Sequence, residues 1–419
     1  MIEYYPRLIE KTITKKLKST GALLLTGPKY CGKTTTAKFY SKSEISLITP
    51  QTIELVDADP KIALDGEKPR LIDEWQKTPT LWNYIRQRID DDQEFGEYIL
   101  TGSATPIDTS QILHSGAGRI TTLKMRPLSL YESKESKGLV SLEELFNNKD
   151  FYIYDENKEG SLSQIAFYIC RGGWPRSINK DNEVALDITR NYFESLFNFD
   201  NSDNKEIKNK NPNTLRLLLK SYARNISSQV KYLNIYKDMI SNSFSLDKKT
   251  FDSYLKIAEN LFIIEDLEAW TPTLRSKSTI RTTSTRHFVD TSIAALSLNI
   301  SPNDLLNDSK TFGLMFEDLA IRDLKVYATY LDGKVFHYRD SNDLECDAII
   351  HLNDGRWAAI EIKLGSEQGI NEAIKNLKKL ELNIDESMKK PSFKMVLTAC
   401  GACYKKDDVY IAPINLLKP

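Results

Sequence analysis

The sequence predicts an α/β chain in three parts: a parallel-sheet domain over residues 1–133, a mostly helical region over 134–310 and a second α/β unit over 311–419. Three observations predict it. Short apolar runs alternate with helix-spaced stretches in the first part, the middle part carries apolar residues at helical spacing, and the last part alternates strands and helices around turn residues. The 419 residues, 41% hydrophobic and 27% charged, supply ample material for packed cores. A formal net charge of -1 offers no bulk attraction for nucleic acid, so any such contact needs a local basic surface. No apolar run approaches the ~18 residues of a membrane span, and Met1 to Lys18 has no signal-peptide core. Five scattered cysteines argue against a disulfide framework and for a reducing compartment. These features predict a cytoplasmic protein with no membrane partner.

In the first part, Ala22–Thr26 reads as a strand and Thr34–Tyr40 as the start of a helix. Ile53–Asp57 and Arg70–Asp73 read as strands, Trp82–Ile89 as a helix and Tyr98–Gly102 as a further strand. Such alternation builds a parallel sheet covered on both faces. Between the first strand and helix, Gly27-Pro28-Lys29-Tyr30-Cys31-Gly32-Lys33-Thr34 fits G-x-x-x-x-G-K-[ST] at every fixed position. The spacing serves phosphate binding. Glycines let backbone N–H groups turn inward, a lysine meets the β/γ-phosphates, a hydroxyl holds Mg²⁺, and the following helix adds its positive end. This P-loop NTPase signature predicts ATP and Mg²⁺ as ligands. Gly27, Lys29, Gly32, Lys33, Thr34 and Thr35 form the expected cradle, with Thr34 also a metal ligand.

Arg70-Leu71-Ile72-Asp73-Glu74 is an apolar strand ending in two carboxylates, as a Walker B strand does. Asp73 is the expected Mg²⁺ ligand, directly or through water, and Glu74 the group that polarises the attacking water. Thr101 or Ser103 could sense the γ-phosphate from the neighbouring strand; a plain strand-end turn explains them as well. Arg119 could supply positive charge to the transition state, in cis or from a neighbouring subunit, or be a simple surface charge.

In the middle part, the polar stretch Asp200 to Asn213 reads as an exposed loop. Leu215–Ile226, Lys231–Ile240 and Lys248–Leu261 have helical spacing, and Phe262–Trp270 and Thr282–Val289 read as strands. Three helices followed by a two-stranded ribbon is the order of a winged helix, which binds DNA in some proteins and other proteins in others.

In the last part, Phe312–Leu331 is a long helix, followed by strands Val335–Arg339, Glu345–Leu352 and Trp357–Leu364. Ser341-Asn342-Asp343 and Asn353-Asp354-Gly355 are the intervening turns. Helix Gln368–Leu380 and strands Lys394–Ala399 and Val409–Ile411 complete the unit. Cys400 and Cys403 form a lone C-x-x-C; without a second ligand pair it reads as a strand end rather than a zinc site.

Several stretches resemble a family of bacterial and archaeal AAA-like ATPases with a C-terminal winged-helix and restriction-endonuclease-like region of unknown function. They are Tyr5-Pro6-Arg7, the P-loop, Leu71-Ile72-Asp73-Glu74, Leu100-Thr101-Gly102-Ser103, Ala117-Gly118-Arg119 and Pro127-Leu128-Ser129-Leu130. Gly172-Gly173-Trp174-Pro175, Phe288-Val289-Asp290, Glu345-Cys346-Asp347 and Glu361-Ile362-Lys363 continue the series in the family's order, over almost the whole chain. Lys29 and Tyr30 replace the arginine and glutamine often seen inside that family's P-loop, at positions acting mainly through backbone. The resemblance implies ATP binding and a cytoplasmic protein.

Asp347 with Glu361-Ile362-Lys363 fits D…E-x-K, the pattern of the restriction-endonuclease-like fold. There, the resemblance implies, Asp347 and Glu361 hold a divalent metal and Lys363 positions or activates water. Strand alternation puts Glu361 and Lys363 on one face, with Ala358, Ile360, Ile362 and Leu364 packing inward on the other. Glu317, on the preceding helix, is a further candidate ligand.

Together these readings predict an ATPase that couples nucleotide turnover to a winged-helix and nuclease-like region. DNA and a second copy of the chain are the expected partners. Two alternatives stay open: a nucleotide-gated binding switch with an inactive nuclease fold, and a small-molecule kinase.

Overall fold

The structure, a computed structural model, describes residues 4–102, 116–147, 153–156, 160–199, 208–241, 246–271, 283–340, 344–384 and 389–419. Ser103, most of the polar stretch beginning at Asp200, Thr282 and the turn Ser341-Asn342-Asp343 lie outside the described residues. The chain divides into two compact units. One comprises Met1–Pro127, Asn198–Pro212 and Lys256–Phe262; the other comprises Leu128–Phe197, Asn213–Leu255 and Ile263–Pro419. Most of the middle part distinguished in the sequence thus shares one unit with the C-terminal part. No helix among the described residues is long and apolar enough to cross a membrane.

The first unit is built on five strands: β1 (Ala22–Thr26), β2 (Ser43–Ser46), β3 (Arg70–Asp73), β4 (Tyr98–Gly102) and β5 (Ile120–Lys124). All neighbours are parallel, in the order β2-β3-β4-β1-β5. One face packs Ala22, Leu24, Ile72, Tyr98 and Leu100 against the helix Leu81–Asp92; the other buries Leu23, Leu25, Leu71 and Ile99 with Ile9, Ile13 and Ala37. Near-continuous apolar strands are what two covered faces require. One expectation fails here: Ile53–Asp57 is not a strand but lies within the helix Pro50–Ala58. Pro50 stands in its first turn, where a missing N–H costs nothing, and Thr49 caps Thr52 N. The strand neighbouring β3 is instead β2, whose alternately half-buried Ser-Glu-Ile-Ser carries little apolar signal.

In the second unit, β6 (Val140–Ser141) precedes a six-stranded sheet. That sheet comprises β7 (Gly333–Arg339), β8 (Glu345–Leu352), β9 (Trp357–Lys363), β10 (Lys394–Thr398), β11 (Tyr404–Lys406) and β12 (Val409–Pro413) in the order β11-β12-β10-β9-β8-β7. The chain ends in β13 (Leu417–Lys418), which pairs with β6. β7, β8 and β9 form an antiparallel meander, while β10 joins β9 and β12 in parallel. The helices Pro212–Ala223, Tyr232–Ser241 and Lys248–Asn260 precede an antiparallel ribbon in which Ile264 pairs with Phe288 and Leu267 with Thr285.

That ribbon continues into the sheet. Ala269 bridges to His337 of β7, with Trp270 N donating to His337 O (2.6 Å) and His337 N to Glu268 O (2.9 Å). The Trp270 ring then packs at a tilt 4.7 Å from Trp357 and edge-on 6.2 Å from Tyr338. A free edge on β7 would expose a row of unpaired backbone groups; residues 268–270 cover part of it. These contacts tie the end of the ribbon to the C-terminal sheet within the second unit.

Candidate functional site

The P-loop leaves β1 at Thr26 and enters the helix Lys33–Phe39. Gly27 has φ 144 and Gly32 φ 102, the latter capping the helix in a left-handed conformation. A Cβ at Gly27 would lie 2.1 Å from Met125 O, so both backbone shape and space demand glycine there. Lys33 is buried and folds back over its own loop, donating to Gly27 O (2.9 Å) and Pro28 O (2.8 Å). Lys29 and Thr35 are exposed.

Asp73 ends β3 almost fully buried. Its Oδ1 accepts from Thr34 Oγ1 (2.8 Å) and Thr101 Oγ1 (2.5 Å), and its Oδ2 from Ser46 Oγ (3.4 Å). Register explains the cluster: Ser46, Asp73 and Thr101 are paired positions at the C-terminal ends of three adjacent parallel strands. Ligands in open parallel sheets bind beyond this edge. Ser46 escapes sequence reasoning because β2 does. Glu74 follows in a left-handed conformation (φ 58, ψ 41), and its Oε2 accepts from Gln76 Nε2 (2.5 Å). Of the sensor alternatives, Thr101 points at Asp73.

Arg119 sits elsewhere. It precedes β5, where its carbonyl accepts from Ala22 N (3.0 Å), at the start of β1. The P-loop leaves the other end of β1, five residues away, or roughly 16 Å at 3.3 Å per strand residue. The side chain is half-exposed and donates from Nε to Asp90 Oδ1 at 2.7 Å. The expected role in cis is therefore corrected: the guanidinium lies at the sheet edge opposite the phosphate loop.

A residue without an assigned role in the sequence proves central to the loop. Buried Arg7 donates from Nη1 to Cys31 O (2.7 Å) and from Nη2 to Arg126 O (2.7 Å). It clamps the P-loop to the segment leaving β5. Glu10 secures the clamp by accepting from Arg7 N (2.7 Å), Tyr4 OH (2.5 Å) and Tyr40 OH (2.9 Å). Burial and the Glu10 carboxylate push both tyrosine hydroxyls above their ordinary range, Tyr40 to about 12.

In the second unit, Asp347 and Glu361 come together as strand alternation requires. Lys363 Nζ lies 3.0 Å from Asp347 Oδ2 and 2.8 Å from Glu361 Oε2, and Asp347 Oδ2 also accepts from Ile362 N (2.7 Å). Burial, then the charge of Asp347, pushes the Glu361 carboxyl up. Glu317 is raised by the same two causes. Burial opposes the charge on Lys363, but the two carboxylates hold it protonated well above its usual range. The donor oxygens suit a divalent ion in kind, yet the ammonium already spans both carboxylates. Among the described residues, no group of three or more His, Cys, Asp or Glu is gathered to hold a metal ion. As the side chains stand, Lys363 bridges the two carboxylates that the sequence offers as metal ligands. The face opposite Glu361 packs as expected, with Ala358, Ile360 and Ile362 buried, but the face it shares is buried too, with Trp357 and Ala359 beneath the helix Glu367–Asn383.

Three further motifs converge on one buried network in this unit. Asp290 Oδ2 accepts from Gly173 N and Arg322 Nη1, both at 2.9 Å, while Asp290 Oδ1 accepts from Ser292 Oγ (2.6 Å). Trp174 Nε1 donates to Ser292 Oγ (3.0 Å), and Asp323 joins Arg322 to Leu130 N (2.9 Å). Gly172-Gly173-Trp174, Val289-Asp290 and Leu128-Ser129-Leu130 are therefore structural. They satisfy one another's buried polar groups rather than forming an open site.

Residues 19–134 match a family model described as an AAA domain, and residues 162–304 and 312–417 match two different domains of unknown function. Uncharacterized proteins of Mycobacterium bovis and Mycobacterium tuberculosis are each 21% identical over 370 residues, 87% of this chain and 75% of theirs. Among solved structures, a Walker-type ATPase of Pyrococcus abyssi is similar, with a TM-score of 0.44 and 13% identity over 71% of this chain and 96% of that one. A STAND signal-transduction ATPase of Pyrococcus horikoshii with a tetratricopeptide repeat sensor has a TM-score of 0.21 and 13% identity, over 76% of this chain and 48% of that one. The AAA-domain match supports nucleotide binding and hydrolysis by the segment that carries the P-loop and Asp73.

Proposed function

We propose that the chain binds ATP with Mg²⁺ at the Gly27–Thr34 loop and hydrolyses it, using the turnover to gate the regions that follow. The observation that carries this reading is the convergence of the P-loop, Thr34, Asp73 and Thr101 at the C-terminal edge of one parallel sheet. The Thr34 hydroxyl and the Asp73 carboxylate, 2.8 Å apart, are the oxygen donors that a small hard cation takes. Bound there, Mg²⁺ would neutralise charge on the β- and γ-phosphates. Lys33 would exchange its two loop carbonyls for phosphate oxygens. Thr101 would hold Asp73 in place, and Glu74, once released from Gln76, would orient and polarise the attacking water. Arg119 would reach a nucleotide only on a neighbouring copy, which makes a homo-oligomer the assembly we propose. Five free cysteines fit a reducing cytoplasm.

Two variants test the reading. Lys33→Ala should sharply weaken ATP binding in calorimetry. Glu74→Gln should still bind ATP while turnover falls by ~10²-fold, the scale of general-base effects. Unchanged binding and turnover in folded variants would remove the P-loop assignment.

The helix–ribbon order of the middle region and the Asp347–Glu361–Lys363 group support DNA as the partner. For the C-terminal unit a second reading has its own support. Lys363 compensates both carboxylates, which favours a nucleotide-gated binding switch on an inactive nuclease-like fold over a cutting enzyme. Incubation of duplex DNA with Mg²⁺ or Mn²⁺, with and without ATP, should leave it intact. Cleavage that disappears in Asp347→Ala would establish the nuclease instead.

A further inference from the structure

One pocket in the second unit plays no part in the functions above. It has a volume of about 260 Å³ and is lined by Gly365, Glu367, Thr398, Gly401, Lys406 and Asn371, among others. It opens where β10 ends and where the helix Glu367–Asn383 begins. Thr398 occupies its floor at 1% exposure, and its hydroxyl has no hydrogen-bond partner among the described residues. A buried hydroxyl without a partner is costly to the fold and uncommon, so a bound group that completes it is a physical expectation.

The surroundings state the charge of that group. The first turn of a 17-residue helix borders the pocket through Glu367, Ile370 and Asn371, near the helix's positive end, with Ser366 as its cap through Gly369 N (3.2 Å). Gly365 (φ 119) and Gly401 (φ 105) shape the two loops, and a Cβ on Gly365 would come within 3.1 Å of Cys400 O. Lys406 adds an ammonium, positioned by Asn371 Oδ1 at 2.9 Å. The single acid on the lining, Glu367, is exposed and free to turn its carboxylate into water. A helix first turn, a hydroxyl and an ammonium line the same pocket, and together they offer hydrogen-bond donors and positive charge to an oxyanion such as phosphate.

We propose that this pocket binds a phosphate group, held by the first turn of the helix Glu367–Asn383, the Thr398 hydroxyl and Lys406. The register of β10 with β9 places Thr398 beside Lys363, so the phosphate would lie one strand from the Asp347–Glu361–Lys363 group. Its source is either a nucleic-acid backbone or a free phosphate or phosphate ester. The proposal stands independently of the nucleotide site.

The test uses the full chain carrying Lys33→Ala, so that the P-loop does not supply the signal. Inorganic phosphate is titrated at millimolar concentrations by calorimetry and thermal shift, with and without Thr398→Val or Lys406→Gln. Loss of a hydrogen bond to a charged group should weaken phosphate about tenfold in Thr398→Val. Without phosphate that variant should melt at the same temperature or higher, because it removes an unpaired buried hydroxyl, which separates lost binding from lost folding. Duplex DNA that competes with phosphate, and binds Thr398→Val more weakly, identifies the backbone as the source; phosphate binding that DNA does not displace identifies a free phosphate or ester. No phosphate binding, or binding that neither substitution alters, overturns the proposal.

Discussion

Arg7→Met should loosen the P-loop without touching a ligand. The guanidinium is buried and makes two 2.7 Å hydrogen bonds, to the carbonyls of Cys31 and Arg126. Methionine keeps much of the side-chain volume but leaves both carbonyls without their charged donor. Hydrogen bonds to charged groups contribute about 1.5–3 kcal/mol each, and the Arg126 carbonyl, only partly buried, can recover water. A net loss of about 2–4 kcal/mol follows, equivalent to roughly 5–15 °C in the melting of a body this size. Nucleotide affinity should fall as well, by about tenfold, because the loop must then be ordered on binding. Differential scanning calorimetry reads the first effect and isothermal titration with ATP and Mg²⁺ the second. Arg7→Lys should recover only part of either, since one compact ammonium does not reproduce the two-pronged fork. Parental melting and parental ATP affinity in Arg7→Met would refute the clamp.

Two other predictions concern the second unit. Trp270→Ala removes a ring packed 4.7 Å from Trp357 and should cost about 3–5 kcal/mol in denaturant unfolding; a loss under ~1 kcal/mol would mean that the ribbon is not part of the C-terminal core. His337 is held down to about 4 by burial, with the charge of His287 second, against an ordinary 6.5. The unfolded chain therefore binds the extra proton between those values, so stability is complete above about pH 6.5 and falls as the pH drops toward 4, by on the order of 3 kcal/mol in total. Melting followed from about pH 7 to about pH 4 should show this slope, flattened in His337→Gln; an equal slope in both proteins would assign the acid sensitivity elsewhere.

Local chemistry made much of the nucleotide site legible. A P-loop is contiguous, so its glycines, lysine and threonine appear at fixed spacing, and the strand ending in Asp73-Glu74 is a short apolar run with an obvious polar end. Ile53–Asp57 misleads for a physical reason as well: five residues with an apolar start do not distinguish a strand from one turn and a half of an amphipathic helix, and Pro50 and Thr49 decide it. The partnership of Asp347, Glu361 and Lys363 was legible from alternation on two adjoining strands, but not the lysine bridge between the two acids, which depends on burial that alternation does not report.

The sequence by itself determined the phosphate-binding loop and the acids of the sheet edge, because each depends on residues near one another in the chain. Tertiary structure alone decided what joins distant residues. It set Arg7 across the P-loop and Arg126, brought Ser46 into register with Asp73, and sent Arg119 to the far edge of its sheet. It also fused the ribbon ending at Trp270 to β7, because an open sheet edge and a large exposed ring are both costly until each covers the other.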